Sequence, residues 1–303
     1  MSAPEGFAAR PARSADAEVI ADLMNVVDRS HLEEPDTVDA DEVRSWWTRL
    51  DLKRDSRVYL DASGRLAAAG TVYARNDGIL DLDAYVHPDL LGHGLGAAMV
   101  DWLEAEASRR SMPEVRSVAL AADRHAAQLL TARGFAPVRH FYRMAIDLTA
   151  PPPDPEWPPG FDVSVFQPGE EELLRRVMEE AFSEHWGYEP DDLDHWRRTV
   201  FETPWWDPSL VYLVREGDEV AAAEINSVRL GSGWVGSLGT RKPWRGRGLG
   251  RALLLTAFGE LYRRGETRVA LGVDAGNETG ATQLYENVGM RIAWQADVYE
   301  KHL

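Results

Sequence analysis

The segment from Thr240 to Leu254, TRKPWRGRGLGRALL, places five basic side chains around three glycines. An apolar strand pattern, GWVGSLGT, leads into it, and a helical pattern, GRALLLTAFGELYRRG, follows. A glycine turn that opens a helix directs unpaired backbone N–H groups at an anion. The segment therefore predicts a phosphate-binding turn. Its basic residues and glycines are Arg241, Lys242, Arg245, Arg247, Arg251, Gly246, Gly248 and Gly250.

Two common phosphate-binding sequences do not match this turn. It contains no Gly-Lys-Ser/Thr, which excludes the P-loop of nucleoside triphosphatases. Its glycines are spaced Gly-x-Gly-x-Gly, whereas the dinucleotide turn requires Gly-x-Gly-x-x-Gly. A different class of phosphate ligand is expected.

Glu224 is the second residue that points to chemistry. It follows the run VAAA in a strand that is apolar enough to be buried. Burying a carboxylate costs free energy, so its presence in such a strand indicates either a function or an exposed position. General base catalysis is one reason, and an edge-facing position in the strand is the alternative.

The elements that position these residues occur twice in the chain. VHPDLLGHGLGAAMV from Val86 parallels the glycine turn at an offset of 154 residues. AQLLTARGF from Ala127 parallels TQLYENVGM from Thr282 at an offset of 155. A proline-rich stretch at the midpoint, with six prolines between Leu148 and Gly160, reads as an extended linker. We expect domains at 1–148 and 161–303, joined by a linker at 149–160.

Each copy has the same order of predicted elements. A strand and an amphipathic helix come first, followed by a polar, Trp-bearing segment and by strands with tight turns. The glycine turn and its helix follow, and a strand, a short helix and a terminal strand complete the copy. This order predicts an α/β (α+β) fold in which a mixed, largely antiparallel sheet is flanked by helices.

Two motifs of the second copy resemble signatures of the GNAT acetyltransferase superfamily. Arg245-Gly246-Arg247-Gly248-Leu249-Gly250 resembles its pyrophosphate-binding pattern, Arg/Gln-x-x-Gly-x-Gly/Ala, and NETGATQLYENVGM from Asn277 to Met290 resembles its second signature. The resemblance implies two tandem GNAT-like domains that cover nearly the whole chain. It also implies acetyl-CoA as the donor, with the coenzyme's pyrophosphate at the glycine turn.

The resemblance implies a role for each polar residue of the second copy. Tyr285 would be the general acid that protonates the coenzyme sulfur. Glu224, 61 residues before it, would be the general base, acting through water, as in two-copy members that use a Glu and a Tyr. Asn277 would order the coenzyme arm or a water, with helix capping as the alternative. The residues expected to bind the coenzyme are Leu238, Gly239, Thr240, Arg245, Gly246, Arg247, Gly248, Leu249, Gly250, Arg251 and Asn277. The resemblance also implies that a backbone N–H among the first three of them donates to the oxyanion.

The first copy lacks these polar groups. The counterparts of Arg245, Asn277, Tyr285 and Glu224 are Leu91, Ala122, Leu130 and Gly70, while Gly92, Gly94 and Gly96 keep the glycine pattern. We therefore expect a catalytically silent first domain that either holds CoA through backbone N–H groups or only supports the second.

The acceptor site is expected in the segment from Ala181 to Val200, where the family places it. Glu184, His185, Trp186 and Tyr188 could line an amine pocket through ion pairing and cation–π contact, and His185 is a second candidate base. The alternative for this segment is an acidic surface helix.

Composition excludes several other classes of function. A net charge of −17 in 303 residues disfavours duplex nucleic acid as a partner. No apolar run reaches the length of a membrane span, and the first residues lack a signal-peptide core. With no cysteine and no metal-ligand histidine spacing, no metal is expected. A cytoplasmic location follows as an expectation, and a monomer is plausible because two copies already mimic a dimer.

These observations predict an acetyl-CoA-dependent N-acetyltransferase whose second domain transfers the acetyl group directly to the primary amine of a small molecule. Acetylation of a cysteinyl amine or of a peptide or protein amine are alternatives within the same chemistry. A CoA-binding sensor without catalysis is the rival class.

Overall fold

The computed structural model describes residues 3–75, 77–190, 192–277 and 280–303. Glu278 and Thr279 of the second GNAT signature lie outside these ranges. The chain forms two compact units, one made of residues up to Phe141 together with Trp294–Leu303, the other of Tyr142–Ala293. No helix among the described residues is long and apolar enough to cross a membrane.

The first unit is a mixed α/β layer structure. Its helices are α1 (Ala17–His31), α2 (Ala40–Trp46), α3 (Leu52–Asp55), α4 (Leu95–Arg110) and α5 (Arg124–Ala132). Its strands are β1 (Ala8–Arg10), β2 (Ser56–Leu60), β3 (Leu66–Ala74), β4 (Ile79–Val86) and β5 (Glu114–Leu120). Strands β1 to β4 pair antiparallel in order, and β4 pairs with β5 in parallel.

The second unit repeats this plan. Its helices are α6 (Glu171–Phe182), α7 (Leu193–Trp196), α8 (Leu249–Arg263) and α9 (Ala281–Asn287). Its strands are β7 (Asp162–Val165), β8 (Val211–Glu216), β9 (Glu219–Arg229), β10 (Ser232–Thr240) and β11 (Arg268–Asp274). Strands β7 to β10 pair antiparallel in order, and β10 pairs with β11 in parallel. The predicted fold class, a mixed and largely antiparallel sheet with flanking helices, is confirmed.

Two long strands are divided between the units. Strand β6 (Ala136–Asp147) begins in the first unit and continues beside β11 in the second. Strand β12 (Arg291–His302) begins in the second unit, and its later part pairs antiparallel with β5 from Ala296 to His302. The sheet of the first unit is thus completed by residues encoded after the whole of the second.

Helices cover both faces of the second unit's sheet. Phe258 and Leu261 of α8 pack on one face, with Val269 of β11. Leu174 and Val177 of α6 pack on the other, against the neighbouring strands β8 and β9. Strand β9 is therefore covered on both sides, which explains its run of small apolar residues, VAAA.

We predict that Tyr299→Ala destabilises the first unit by about 3 kcal/mol, because this side chain of β12 is 7% exposed and belongs to that unit's core. Hydrogen–deuterium exchange should show faster exchange within residues 3–141. Ile292→Ala, at a 44% exposed position of the same strand, is the control and should change stability by less than about 0.5 kcal/mol. Faster exchange confined to 142–293 would contradict the assignment of this strand segment.

Candidate active site

The glycine turn has the geometry of an anion-binding site. Gly246 and Gly248 have φ angles of 73° and 87°, in the left-handed region, and Gly248 caps the start of α8. Ala252 N–H donates to the Gly248 carbonyl at 3.2 Å, so the amides between them precede the helix's own hydrogen-bond pattern. Among the described residues, and apart from the neighbouring backbone, one heavy atom lies within 4 Å of the point where a Cβ on Gly248 would stand, a Pro158 side-chain carbon at 3.8 Å. A phosphate group fits this open cradle, so the turn suits the coenzyme that the sequence predicts.

Carboxylates hold most of the basic side chains around the turn. Arg241 contacts Glu180 at 2.7 Å, and Arg247 contacts Glu216 at 2.7 Å. Lys242 contacts Glu184 at 2.8 Å. The positive charge of these side chains is thus largely balanced by acidic groups from α6, from the segment after α6 and from β8.

Arg245 and Arg251 also donate to backbone carbonyls, and Arg245 shares the Glu184 carboxylate with Lys242, at 3.3 Å. Arg245 donates to the backbone carbonyls of Thr240 and Ala181, both at 3.1 Å, and so ties the end of β10 to α6. Arg251 donates to the Asn287 carbonyl at 3.2 Å, and the described residues offer it no carboxylate within 4 Å. Arg251, in the first turn of α8, therefore has the least compensated charge of the five.

Glu224 lies in the middle of β9 with no exposed surface. It is flanked by Tyr212 of β8 and Leu238 of β10. Among the described residues, neither carboxyl oxygen has a hydrogen-bond partner. Burial raises the pKa of Glu224 to about 8, and the side chain of Asn226 lowers it less. A carboxyl group with such a pKa can gain or lose a proton close to neutral pH.

Tyr285 lies on α9 and is 9% exposed. Burial and, to a smaller extent, the negative charge of Glu224 raise its pKa to about 12. The negative charge of Glu224 thus affects the pKa of Tyr285, although 61 residues separate the two predicted catalytic residues in the sequence. The phenol stays protonated at neutral pH, which suits a proton donor.

Strand β10 changes its pairing just before the glycine turn. Its register with β9 shifts between Val235 and Ser237, and its parallel pairing with β11 is found at Gly233–Val269 and Trp234–Ala270. In the first copy, β4 pairs with β5 at four positions and with β3 without a shift. A Cβ on Gly239 would lie 2.8 Å from Ala181 Cβ, so α6 packs directly on this backbone.

The predicted acceptor residues follow α6 in the chain. Glu184 forms ion pairs with Lys242 and Arg245 of the glycine turn. The His185 ring packs edge-on against Phe182, with 4.5 Å between ring centroids. Burial lowers the pKa of His185, and the Asp274 carboxylate at the end of β11 opposes the shift.

Trp186 is 38% exposed, and Tyr188 is half-buried, with its N–H donating to the His185 carbonyl at 3.1 Å. Asn277 donates its N–H to the Asp274 carbonyl at 3.1 Å, directly after β11. The fold therefore links Glu184 and His185 electrostatically to the turn and to β11.

Two polar residues near the predicted site, Asn226 and Asp274, were not predicted from the sequence. The Asn226 amide donates to the Leu210 carbonyl at 3.0 Å and lies two residues beyond Glu224 in the buried strand. Asp274 accepts from Gly276 N–H at 2.9 Å and shapes the turn before Asn277. The signal for both is a polar side chain within or directly after an apolar run.

The first copy differs sharply at the position of Glu224. A Cβ on Gly70 would meet the Asp83 carbonyl at 3.1 Å and Met99 Sδ at 3.2 Å, which leaves no room for a glutamate. Leu130, the counterpart of Tyr285, is 4% exposed and belongs to the core. The two copies thus share a backbone plan but not a pair of titratable groups.

One group of possible metal ligands occurs among the described residues. Glu114, Glu300 and His302 have ligand atoms within 4.8 Å of one another on the first unit. Glu300 already pairs with Arg116 at 2.6 Å, and His302 pairs with Glu114 at 3.1 Å.

Comparison with known families gives two matches within this chain. The model of the acetyltransferase (GNAT) family matches residues 20–135 and again residues 172–290. The chain belongs to the GNAT acetyltransferase family. It is an N-acetyltransferase with a tandem GNAT architecture, as the sequence predicts.

Curated relatives share about a third of their residues with this GNAT protein. The mycothiol acetyltransferase of Thermobispora bispora is 33% identical over 221 residues, which cover 70% of this chain and 72% of the relative. The mycothiol acetyltransferase of Catenulispora acidiphila is 32% identical over 215 residues, covering 68% of each chain.

Solved structures share the architecture over the full length. A GCN5-related N-acetyltransferase from Sphaerobacter thermophilus has a TM-score of 0.85 and 35% identity, covering 99% of this chain and 97% of its own. A tandem GNAT protein from the clavulanic acid biosynthesis pathway has a TM-score of 0.77 over 98% of both chains. Because the second is 16% identical, its likeness concerns the fold alone.

We predict that Glu224→Gln changes how stability depends on pH. The folded-state pKa of Glu224, about 8, exceeds the ordinary value of 4.5, so between these values the native state binds more protons than the unfolded state. The free energy of unfolding of the wild type should therefore fall by about 4 kcal/mol relative to Glu224→Gln from pH 5 to pH 8. Urea denaturation at several pH values measures this difference.

Glu286→Gln is the matched control, since Glu286 is exposed on the helix that carries Tyr285. Its pH dependence should parallel that of the wild type. A Glu224→Gln profile that also parallels the wild type would contradict a buried, unpartnered carboxyl.

Proposed function

We propose that this chain transfers an acetyl group from acetyl-CoA to the primary amine of a small molecule, at a site in its second unit. The observation that carries the proposal is the buried carboxyl of Glu224, which has no hydrogen-bond partner among the described residues and whose negative charge raises the pKa of Tyr285. The first copy has Gly70 and Leu130 at these positions, so the pair is not required by the fold.

The glycine turn is the proposed coenzyme site. Acetyl-CoA supplies an acetyl group activated as a thioester. The amides of Gly246 to Arg251 would donate to its pyrophosphate, and Arg251 and Arg247 would add positive charge. Leu249 and Gly250 contribute backbone N–H groups of the first helical turn, where the helix dipole favours an anion. Asn277 would order the coenzyme arm beyond β11.

Three groups act in the proposed acetyl transfer, as general base, oxyanion donor and general acid. Glu224 accepts a proton from the acceptor ammonium, directly or through a water, and its raised pKa matches this task near neutral pH. One backbone N–H within Leu238, Gly239 and Thr240, on the side of β10 that faces away from β9 and beyond its parallel pairing with β11, donates to the oxygen that gains negative charge. Tyr285 donates a proton to the departing sulfur.

A small amine is the proposed acceptor. Glu184 and His185 lie beside the turn, and Trp186 and Tyr188 follow them, so an ammonium group would meet acidic and aromatic side chains. Relatives that are a third identical are named mycothiol acetyltransferases, which supports the amine of a cysteinyl compound as a particular candidate. Peptide or protein amines rank behind it.

The experiment that tests this function follows CoA thiol release from acetyl-CoA with a panel of amines. Cysteinyl sugars, aminoglycosides, polyamines and short peptides span the relevant size and charge. Turnover with one group identifies the acceptor class. Acetyl-CoA binding without turnover on any amine would favour the rival function, a CoA-binding sensor.

Tyr285→Phe removes one oxygen and keeps the packing. We expect kcat to fall by about 10²–10³-fold, because the departing sulfur loses its proton donor, while the Kd for acetyl-CoA stays within about twofold. Tyr262→Phe on α8 is the control and should keep wild-type turnover. Equal activity in the two variants would eliminate Tyr285 as the general acid.

Gly248→Ala tests the coenzyme site. A Cβ at a φ of 87° is strained and projects into the open cradle, so the Kd for acetyl-CoA in the second unit should rise about tenfold or more. Gly94→Ala imposes the same strain at a φ of 79° on the first copy. It should leave kcat and the KM for acetyl-CoA unchanged. If both variants raise this KM equally, the second-unit turn is not the site of turnover.

A further inference from the structure

The first unit contains a cavity of about 190 Å³ that the proposed reaction does not use. It lies between helices α1 and α2 on one side and strands β3 and β4 on the other. Ile20 and Met24 of α1, Val43 of α2 and Val58 of β2 form its apolar lining. A volume of this size holds about six water molecules, so it suits a small organic ligand.

Aromatic side chains form much of the remaining wall. Trp46 ends α2 and Trp47 follows it directly, and Tyr73 and Tyr85 come from β3 and β4. Trp47 is 9% exposed, whereas Trp46 is 39% exposed and gives access from solvent. Four aromatic rings around one small cavity favour a cation, because the ring faces carry negative charge density.

Asp83 is the charged residue among the described residues that line this cavity. Its side chain lies within β4 and borders the cavity. Burial raises the pKa of Asp83 to about 6, and a hydrogen bond with the Tyr85 side chain opposes this shift. No Lys, Arg or His belongs to the described lining, so no positive charge in that lining balances this carboxylate. A carboxylate beside aromatic rings is complementary to an organic ammonium ion.

Comparison with the second unit shows which residues of this cavity wall are specific to the first unit. In the second unit, Ser237 and Gly239 occupy the positions of Asp83 and Tyr85. The strand registers show this equivalence, because Tyr85 pairs with Ala69 and Gly239 pairs with Ala223, and both residues of the second pair lie 154 positions after those of the first. Ala181 and Met178 of α6 fill the space next to Gly239, at 2.8 Å and 3.1 Å from a Cβ position. In the first copy, the larger Tyr85 and the acidic Asp83 replace two small residues, so this wall is specific to the first unit.

We propose that this cavity binds a small organic ammonium ion, with Asp83 as counter-ion and the rings of Trp46, Trp47, Tyr73 and Tyr85 against its charge. The site is separate from the proposed acetyl transfer. The first unit has Leu130 where the second has Tyr285, so the ligand is bound there without being acetylated.

Choline and its uncharged isostere 3,3-dimethylbutanol form a matched pair of probes, measured by isothermal titration calorimetry on the full chain. We expect saturable choline binding and at least about tenfold weaker binding of the alcohol. Asp83→Asn should weaken choline binding about tenfold or more, and Trp46→Leu about three- to tenfold. Both probes should bind Tyr285→Phe as they bind the wild type.

Asp89→Asn is the control, since Asp89 is exposed, lies outside the cavity lining and changes the net charge of the same unit equally. It should bind choline like the wild type. Thermal unfolding confirms that each variant is folded. Equal affinity for choline and the alcohol, equal weakening by Asp83→Asn and Asp89→Asn, or no choline binding at millimolar concentration would each overturn the proposal.

Discussion

Burying a carboxyl group without a hydrogen-bond partner costs several kcal/mol, and in this chain that cost falls on Glu224. The packing around Glu224 stabilises the strand that carries it. Small apolar residues precede it in β9, and helices α6 and α8 cover the two faces of the sheet. The same dry surroundings raise the pKa of Glu224 into the range where an amine can exchange a proton with it. Reactivity and instability therefore have one physical origin.

Comparison of the two copies separates what the fold needs from what the chemistry needs. Both copies keep a left-handed glycine at the start of the long helix, Gly94 and Gly248, because this backbone bend requires it. At two matching positions the second copy has the buried carboxyl of Glu224 and the phenol of Tyr285, whereas the first has Gly70 and Leu130. On the strand before its turn, the first copy has Asp83 and Tyr85 where the second has Ser237 and Gly239, so each copy carries polar groups that the other lacks.

Local patterns in the sequence predict much of this structure. The repeat, the glycine turn and the helix that opens at Leu249 follow from residue spacing within short windows. The sequence also singles out Glu224, because a charge stands out in an apolar strand. The ion pair of Arg241 with Glu180 could not be predicted, since it depends on side chains 61 residues apart. The same holds for the cavity beside Asp83, whose walls come from five separate elements.

The divided strand β12 has a consequence for how the protein forms in the cell. Arg116 and Glu300, which bond across β5 and β12, are 184 positions apart in the chain. Synthesis proceeds from the N-terminus at about 5–20 residues per second, so the sheet of the first unit waits for many seconds with an unpaired edge. The ribosome releases all of the second unit's elements before that edge is closed. The first unit can therefore complete its sheet only after residues 142–293 have been synthesised, and until then the edge of β5 exposes unpaired backbone groups.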